Sequence, residues 1–151
     1  MADITIAPPR PEDYPDWRRL YEGYATFYKM PMDDEIAGRV WRWLLDPQHI
    51  LEALLARDGR QVVGLAHFRA MPRPLTGTMA GFLDDLFVDP RWRGKRVADQ
   101  LLTAIAAHGR AQGWTLIRWL TGDDNYRGRG VYDRLAKRTM WITYQMDLPS
   151  R

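Results

Sequence analysis

The sequence contains no cysteine in its 151 residues. Without thiols the chain cannot form disulfides or thiolate metal sites, and no mechanism can pass through an acyl-cysteine intermediate. Because disulfides are most frequent in secreted proteins, the absence is consistent with a cytoplasmic location, which we predict.

Serine and histidine are also scarce. The single serine, Ser150, lies near the end of the chain, which argues against a serine–histidine hydrolase. The three histidines are scattered, and their spacing predicts no metal site. One of them, His67, lies on a predicted strand and is a secondary candidate for a general base.

Long apolar runs are missing as well. No run reaches the ~18 residues that suggest a membrane span, and the first residues lack the apolar core of a signal peptide. Hydrophobic residues make up 46% of the chain and charged residues 27%, as in ordinary globular proteins. We therefore predict a single domain over residues 1–151.

The excess of positive charge is small, with 22 lysines and arginines against 19 aspartates and glutamates. The arginines are spread along the chain and do not form one continuous basic segment. A nucleic-acid-binding domain is therefore the least favoured of our hypotheses, and phosphate binding by a small ligand is preferred.

Hydrophobic periodicity and turn residues predict the element order β-α-α-β-β-β-α-β-α-β, which indicates a mixed α/β fold. Tyrosines and tryptophans recur at helical spacing in the first helix, and Asp58-Gly59 is a hairpin signal. The predicted elements cover residues 4–7, 11–28, 33–45, 49–57, 61–71, 81–88, 94–112, 114–120, about 125–137 and 141–148.

The most informative stretch is 82–102, FLDDLFVDPRWRGKRVADQLL. An apolar strand interrupted only by Asp84 and Asp85 is followed by a turn rich in arginine and lysine and then by a helix. The backbone N–H groups that begin a helix have no partner within it, and the helix dipole favours an anion there. This segment therefore predicts a site for a phosphate or pyrophosphate.

The same stretch resembles the signature of the GNAT superfamily of acyl-CoA-dependent N-acyltransferases. That signature is Arg/Gln-x-x-Gly-x-Gly/Ala between a strand and a helix. Here Arg93 and Ala98 match it, whereas Arg96 stands where the family usually has its first glycine. Downstream, DDNYRGRGVYDRL is similar to the family's Asn-x-x-Ala-x-x-x-Tyr helix, with Asn125 and Tyr132 matching. The resemblance covers about residues 50–148.

The resemblance implies a mostly antiparallel twisted sheet with flanking helices and an N-acetyltransferase activity. Acetyl-CoA would be the co-substrate, without a metal, and a primary amine of a small molecule or peptide would attack it directly in a ternary complex. A homodimer is a possible assembly. The residues that the resemblance places at the cofactor are Phe87, Val88, Arg93, Gly94, Lys95, Arg96, Val97, Ala98 and Asn125. At Arg96 we expect the turn to stay helical and the guanidinium to contribute to phosphate binding; the alternative is a loss of cofactor affinity.

The resemblance also suggests catalytic roles. Tyr132 is the candidate general acid for the departing thiolate, and a packing role in the core is its alternative. Asp84 is our first choice of base and Asp85 a substrate ligand, although both carboxylates could simply be exposed. Adjacent strand residues point to opposite faces, so only one should face the substrate unless a bulge intervenes.

Two aromatic residues of the first helix, Tyr24 and Tyr28, are candidates for the wall of the amine site, because aromatic rings attract cations. Packing in the core is the alternative for both. A GNAT-fold module that binds or senses acyl-CoA without turnover is our second functional hypothesis. The sequence does not identify the amine.

Overall fold

The computed structural model of the chain describes residues 3–150. The described chain forms two compact units, of which the first ends at Leu120 and the second begins at Thr121. The single domain over residues 1–151 stays a prediction.

The first unit is built on one five-stranded sheet. Its strands lie in sequence order, the first four antiparallel and the fifth parallel to the fourth. This mixed, mostly antiparallel sheet with flanking helices confirms the predicted fold class. The strands are β1 (Ile4–Ala7), β2 (Glu52–Asp58), β3 (Gln61–Arg73), β4 (Thr78–Val88) and β5 (Ile117–Trp119).

Three helices belong to the first unit and one to the second. They are α1 (Tyr14–Phe27), α2 (Asp34–Leu45), α3 (Val97–Gln112) and α4 (Tyr126–Leu135). Local signals explain several of their ends. The Asp33 side chain accepts a hydrogen bond from the Ile36 N–H at 2.8 Å and caps α2, and Gly113, at φ 78°, ends α3.

A hydrophobic core cluster lies between α1, α2 and the sheet, around the fully buried ring of Trp17. A buried ion pair between Arg57 on β2 and Asp13 supports it, and Arg57 also donates to the Pro8 carbonyl oxygen at 3.0 Å. Burial alone would raise the pKa of Asp13, but the hydrogen bonds from Arg57 and the Arg10 N–H outweigh it and lower that pKa.

The structure corrects several predicted boundaries. Strand β4 begins at Thr78, three residues before the predicted start, and α3 begins only at Val97 because Arg96 has a left-handed backbone. The strand predicted over 141–148 is absent: in the described chain these residues belong to no sheet. A strand has no hydrogen bonds of its own and forms only beside a partner strand, so its sequence pattern alone cannot create it.

Within residues 3–150, no helix combines the length and the apolar composition that a membrane span requires.

Tight packing around Trp114 gives a prediction about stability. A Cβ atom on Gly81 of β4 would lie 2.5 Å from the Trp114 ring, whereas one on Gly38 of α2 would meet its nearest neighbour at 3.5 Å. We expect Gly81→Ala to lower the free energy of unfolding by about 1–3 kcal/mol through overpacking. Gly38→Ala should raise it by about 0.5–1 kcal/mol because alanine is the better helix former. Chemical denaturation of both variants measures these changes, and equal changes in the free energy of unfolding would contradict the prediction.

Candidate active site

A β-bulge in β4 shapes the site. Asp85 lies opposite His67 on β3, but the next residue of β3, Phe68, lies opposite Leu83, so Asp84 is an extra residue on its strand. The normal alternation of faces is therefore interrupted. Both Asp84 and Asp85 line one pocket of about 340 Å³. Adjacent residues of a regular strand would point to opposite faces, so this arrangement requires the bulge. The other residues that line the pocket are Tyr21, Val40, Trp43, His49, Ile50, Leu51 and Arg69.

A buried chain of hydrogen bonds holds Asp85. The indole N–H of Trp17 donates to Nε2 of His67 at 2.9 Å, and Nδ1 of His67 lies 2.7 Å from Oδ2 of Asp85. Because an indole nitrogen can only donate, Nε2 accepts and carries no proton, so the proton of the imidazole is on Nδ1 and points at Asp85. The Tyr21 hydroxyl donates to the same carboxylate oxygen at 3.1 Å.

These donors decide the charge of Asp85. Burial would raise its pKa, but the hydrogen bonds and charge interactions with His67, together with the tyrosine hydroxyls, outweigh burial and lower it. Asp85 is thus a carboxylate at neutral pH. Burial of Tyr21 and Tyr24, together with the negative charge of Asp85, raises the pKa values of both tyrosines well above the ordinary value of 10.0, so both hydroxyls stay protonated.

Asp84 has a different environment. Its two carboxylate oxygens accept hydrogen bonds from Nε of Arg69 at 3.2 and 3.0 Å, and the Arg69 guanidinium also lies over the Phe82 ring at 4.9 Å. The Asp84 side chain is 28% exposed, compared with 18% for Asp85. Of the two carboxylates, Asp84 is therefore the more accessible to water.

The two predicted aromatic residues lie at the end of α1. The Tyr24 hydroxyl donates to the Asp84 carbonyl oxygen at 3.4 Å, and its ring packs against Phe87. Tyr28 contacts the Tyr24 ring and is 37% exposed. Tyr21, one helical turn before Tyr24, is the α1 tyrosine that lines the pocket.

Beyond the bulge, β4 separates from β5. The two strands pair only over Gly81–Leu83, and β4 continues to Val88 without a described strand on that side. The Asp89 N–H donates to the Val63 carbonyl oxygen at 2.8 Å. Because donors and acceptors alternate along an antiparallel strand, the backbone groups of Leu86 and Val88 point to the open side, whereas those of Phe87 point to β3. The Phe87 side chain is 9% exposed.

Asp89 anchors the turn that follows. Its buried carboxylate accepts hydrogen bonds from the Arg91 N–H at 3.0 Å and from Arg19 of α1 at 2.9 Å. Hydrogen bonds from the Arg91 side chain and backbone are the main reason that the pKa of Asp89 lies well below its usual range. A 3₁₀ turn over Pro90–Trp92 then leads into the basic segment.

The basic turn contains two residues with positive φ, Gly94 at 81° and Arg96 at 60°. The expectation that the chain stays helical at Arg96 is wrong: Arg96 adopts the left-handed conformation that the family's glycine would adopt easily. A non-glycine residue is strained there by roughly 1–2 kcal/mol. The Arg96 side chain is 78% exposed and lies 3.8 Å from Asp99.

This turn leaves several donors available for an anion. The first hydrogen bond of α3 is donated by the Gln100 N–H to the Arg96 carbonyl oxygen, so the preceding N–H groups, including those of Val97 and Ala98, have no helical acceptor. The charged groups nearby are Lys95, over the Trp92 ring at 5.3 Å, and Arg93, over the Phe87 ring at 5.7 Å.

The second unit contains the two remaining predicted residues. Asn125 caps α4: its Oδ1 accepts from the Gly128 N–H at 3.3 Å, and its Nδ2 donates to the Thr121 hydroxyl at 2.9 Å. A Cβ on Gly128, which stands where the family usually has alanine, would lie 2.5 Å from that Nδ2, so the Asn125 side chain packs closely against the glycine. Tyr132 lies on the same helix, about two turns after Asn125.

Sequence reasoning found the carboxylates but not the residues that control them. The helical spacing of aromatic residues in the first helix predicts a packing role for Trp17, and the sequence predicts no role for Arg69. His67 was only a secondary base candidate, yet it is fully buried and acts between Trp17 and Asp85. The signal in the sequence for this role was a histidine within an otherwise apolar strand. Among residues 3–150, no group of three or more candidate metal ligands is present.

Known proteins share this architecture. A D-amino-acid N-acetyltransferase of Saccharomyces cerevisiae is 26% identical over 144 residues, which cover 94% of this chain and 89% of that protein. The crystal structure of a ribosomal-protein-alanine N-acetyltransferase from Brucella melitensis biovar Abortus 2308 is 28% identical, with a TM-score of 0.81 and coverage of 97% and 100% of the two chains. An aminoglycoside N-acetyltransferase, AAC(6')-Iy, solved in complex with CoA, has the same fold, with a TM-score of 0.84 at 20% identity over 97% and 96% of the two chains.

The sequence model of the acetyltransferase (GNAT) family matches residues 14–136. The match includes α1, the bulged strand β4, the basic turn before α3 and the helix α4. The chain therefore belongs to the GNAT family of acetyltransferases and is an acyltransferase enzyme.

Proposed function

We propose that this enzyme transfers an acetyl group from acetyl-CoA to the primary amine of a small molecule or peptide by direct attack in a ternary complex. The observation that carries the proposal is the bulge at Asp84, which presents two carboxylates in one pocket beside the open side of β4. An ammonium group is attracted to such a pocket, and a carboxylate can accept its proton.

The cofactor site is proposed along the open side of β4 and at the start of α3. The pantetheine would add to the strand at Val88, as the resemblance predicted, and the free backbone groups of Leu86 extend that edge. The pyrophosphate would bind the N–H groups from Gly94 to Ala98, since the Arg93 N–H donates to the Pro90 carbonyl oxygen, and the nearby cations, including the Arg93 side chain, would strengthen binding of a dianion. The role of Asn125 at the cofactor rests on the resemblance alone.

The two carboxylates would divide the work at the amine. Asp85, whose charge is fixed by His67, would hold the ammonium group. Asp84, which is more exposed, would accept its proton through water. The neutral amine nitrogen would then attack the thioester carbonyl carbon, the carbon–sulfur bond would break, and the nitrogen would lose its second proton to water to give the amide. The resemblance supports Tyr132 as the group that protonates the departing thiolate.

The charges in the pocket favour one class of amine substrate. Arg69 uses Nε for Asp84, and neither of its Nη groups donates a hydrogen bond to another described residue. These Nη groups could bind a carboxylate on the acceptor, so a free amino acid is our first candidate, as the name of the yeast relative suggests. Tyr24 of α1 and Tyr28, directly after that helix, would then form one wall of the amine site. A cytoplasmic location remains the sequence-based prediction.

A second candidate function is binding of acyl-CoA without turnover. The observation that favours it is Arg96, which has a left-handed backbone where the family has glycine. The two functions are distinguished by measuring free CoA release over a panel of amines and amino acids. Saturable binding of acetyl-CoA without any release would support the second candidate and contradict the first.

The role of Tyr132 is tested by removing its hydroxyl. We expect Tyr132→Phe to reduce kcat by roughly 10²–10⁴-fold, since general acid catalysis is lost, while acetyl-CoA affinity is little changed. Tyr126→Phe, at an exposed tyrosine of the same helix, is the matched control and should retain activity. Unchanged turnover in Tyr132→Phe would show that this residue only packs.

Arg96 is tested by two substitutions that differ in backbone freedom. Both Arg96→Gly and Arg96→Ala delete the cation, so both should bind acetyl-CoA more weakly than the wild type, and the wild type should be more sensitive to salt. Only glycine relieves the positive φ, so Arg96→Gly should be about 1 kcal/mol more stable to unfolding than Arg96→Ala. Calorimetric titration and denaturation measure the two effects. Tighter binding by Arg96→Gly would overturn the role of the guanidinium.

The effect of His67 on Asp85 is tested through pH. In the wild type the pKa of Asp85 is below its ordinary value, so the carboxylate stabilises the fold above about pH 4, and this contribution is lost as the pH falls through the lowered pKa. His67→Leu removes the Nδ1–H donor that offsets the effect of burial, so the pKa of Asp85 should rise. Stability should then fall as the pH rises from about 4 to 7.

His67→Asn is the control for this experiment, because its amide N–H can replace Nδ1–H. Its stability should not fall over the same pH range, and both variants lack an imidazole, so histidine titration cancels in the comparison. The acidic limb of kcat/KM should move to higher pH in His67→Leu only. Identical pH profiles for the two variants would contradict the proposed effect of His67.

A further inference from the structure

The pocket beside the bulge has two chemically different walls. The wall formed by β3 and β4 carries the charges of Arg69, Asp84 and Asp85. The other wall is formed by α2 and by the segment that joins α2 to β2, and its described residues include no aspartate, glutamate, lysine or arginine. This apolar wall consists of Val40, Trp43, His49, Ile50 and Leu51.

Two rings of the apolar wall form an ordered stack. The rings of Trp43 and His49 are nearly parallel, with centroids 5.0 Å apart and planes inclined by 5°. The Leu51 N–H donates to Nδ1 of His49 at 3.0 Å, and the His49 N–H donates to the Asp46 carbonyl oxygen at 3.0 Å. Because a backbone N–H can only donate, Nδ1 accepts and carries no proton, so the imidazole is neutral. The apolar wall is therefore uncharged, and its rings are held in place by the turn after α2.

The apolar wall is only partly covered by the protein itself. Trp43 is 38% exposed and Ile50 is 58% exposed, although both line the pocket. Large apolar surface beside a pocket is stabilised when an apolar ligand removes it from water. A charged group placed there would lose its hydration without gaining a partner of opposite charge. Because aromatic rings also stack favourably on one another, the wall suits an aromatic group best.

We propose that the acceptor is an amino acid with an aromatic side chain, and that this side chain lies against the Trp43–His49 stack. The inference rests on the proposed function and narrows its substrate class. The ammonium group would bind Asp85, the carboxylate would bind Arg69, and the side chain would extend across the pocket to the apolar wall. The volume of about 340 Å³ is within the range of small-molecule sites. Three separate contacts fix the configuration of the α-carbon, so one enantiomer should be preferred.

The first test compares acceptors by the kcat/KM of CoA release. Alanine, phenylalanine and arginine are supplied as separate enantiomers. The better enantiomer of phenylalanine should exceed the better enantiomer of alanine by about 10–100-fold, because its ring is removed from water. Arginine should be a poorer acceptor than phenylalanine, since its cation has no carboxylate to pair with on the apolar wall. Similar values for alanine and phenylalanine, or a preference for arginine, would overturn the inference and leave the proposed acetyl transfer intact.

The second test changes the stack. Trp43→Ala removes one of its rings, whereas Trp43→Phe keeps a ring at the same place. The ratio of kcat/KM for phenylalanine to kcat/KM for alanine should fall by about 10-fold in Trp43→Ala and stay near the wild-type ratio in Trp43→Phe. Arg42→Ala, at an exposed residue of α2 that does not line the pocket, is the control and should keep the wild-type ratio. An unchanged ratio in Trp43→Ala would overturn the inference.

The third test measures binding without turnover, so that failure of the inference and failure of the proposed function can be distinguished. Phenylalanine and alanine are titrated calorimetrically into the wild-type enzyme in the presence of CoA, which has no acetyl group to transfer. Phenylalanine should bind about 10–100-fold more tightly than alanine. Tight binding of phenylalanine without CoA release from acetyl-CoA would contradict the proposed acetyl transfer and support the aromatic site. Equal or undetectable binding of the two amino acids would overturn the inference, whatever the turnover assay shows.

Discussion

The pocket that contains both carboxylates depends on one extra residue in β4. Without the bulge at Asp84, the two carboxylates would lie on opposite faces of the sheet, and only one could reach a substrate. The bulge also lies where β4 and β5 cease to pair, so the same stretch of strand presents side-chain carboxylates to the pocket and unpaired backbone groups to the side where the cofactor is proposed. One irregularity of the backbone thus connects the two halves of the proposed reaction.

Burying a carboxylate in this place requires donors that are themselves fixed. Asp85 keeps its charge because His67 presents an N–H, and His67 presents that N–H because Trp17 occupies its other nitrogen. Trp17 is at the centre of the apolar core as well, so the packing of α1 and the charge of the pocket depend on the same side chain. Asp84 differs because its partner, Arg69, is partly exposed and neutralises it from one side.

The two departures from the family pattern affect the structure differently. At Gly128 a Cβ would lie 2.5 Å from the Asn125 side chain, so an alanine would require that side chain to move. Arg96 stands where the family usually has glycine, and its left-handed backbone conformation is strained for a non-glycine residue. A glycine at position 96 would relieve this strain but would remove a cation. The loss of the cation would outweigh the relief of strain only if the guanidinium contributes to phosphate binding.

The sequence by itself determined the types of the elements from β1 to α4 and the order of the first five strands along the chain, because these follow from periodicity. It also determined the caps of α2 and α3, because the capping residues act on their neighbours. Asp33 caps α2 and Gly113 ends α3 through contacts within a few residues. The tertiary structure alone decided the bulge at Asp84, which arises from pairing with β3, and the chain of hydrogen bonds from Trp17 to Asp85, whose members lie far apart in sequence. It also decided that residues 141–148 form no strand here, because a strand pattern states what a segment can pair with but not whether a partner is present.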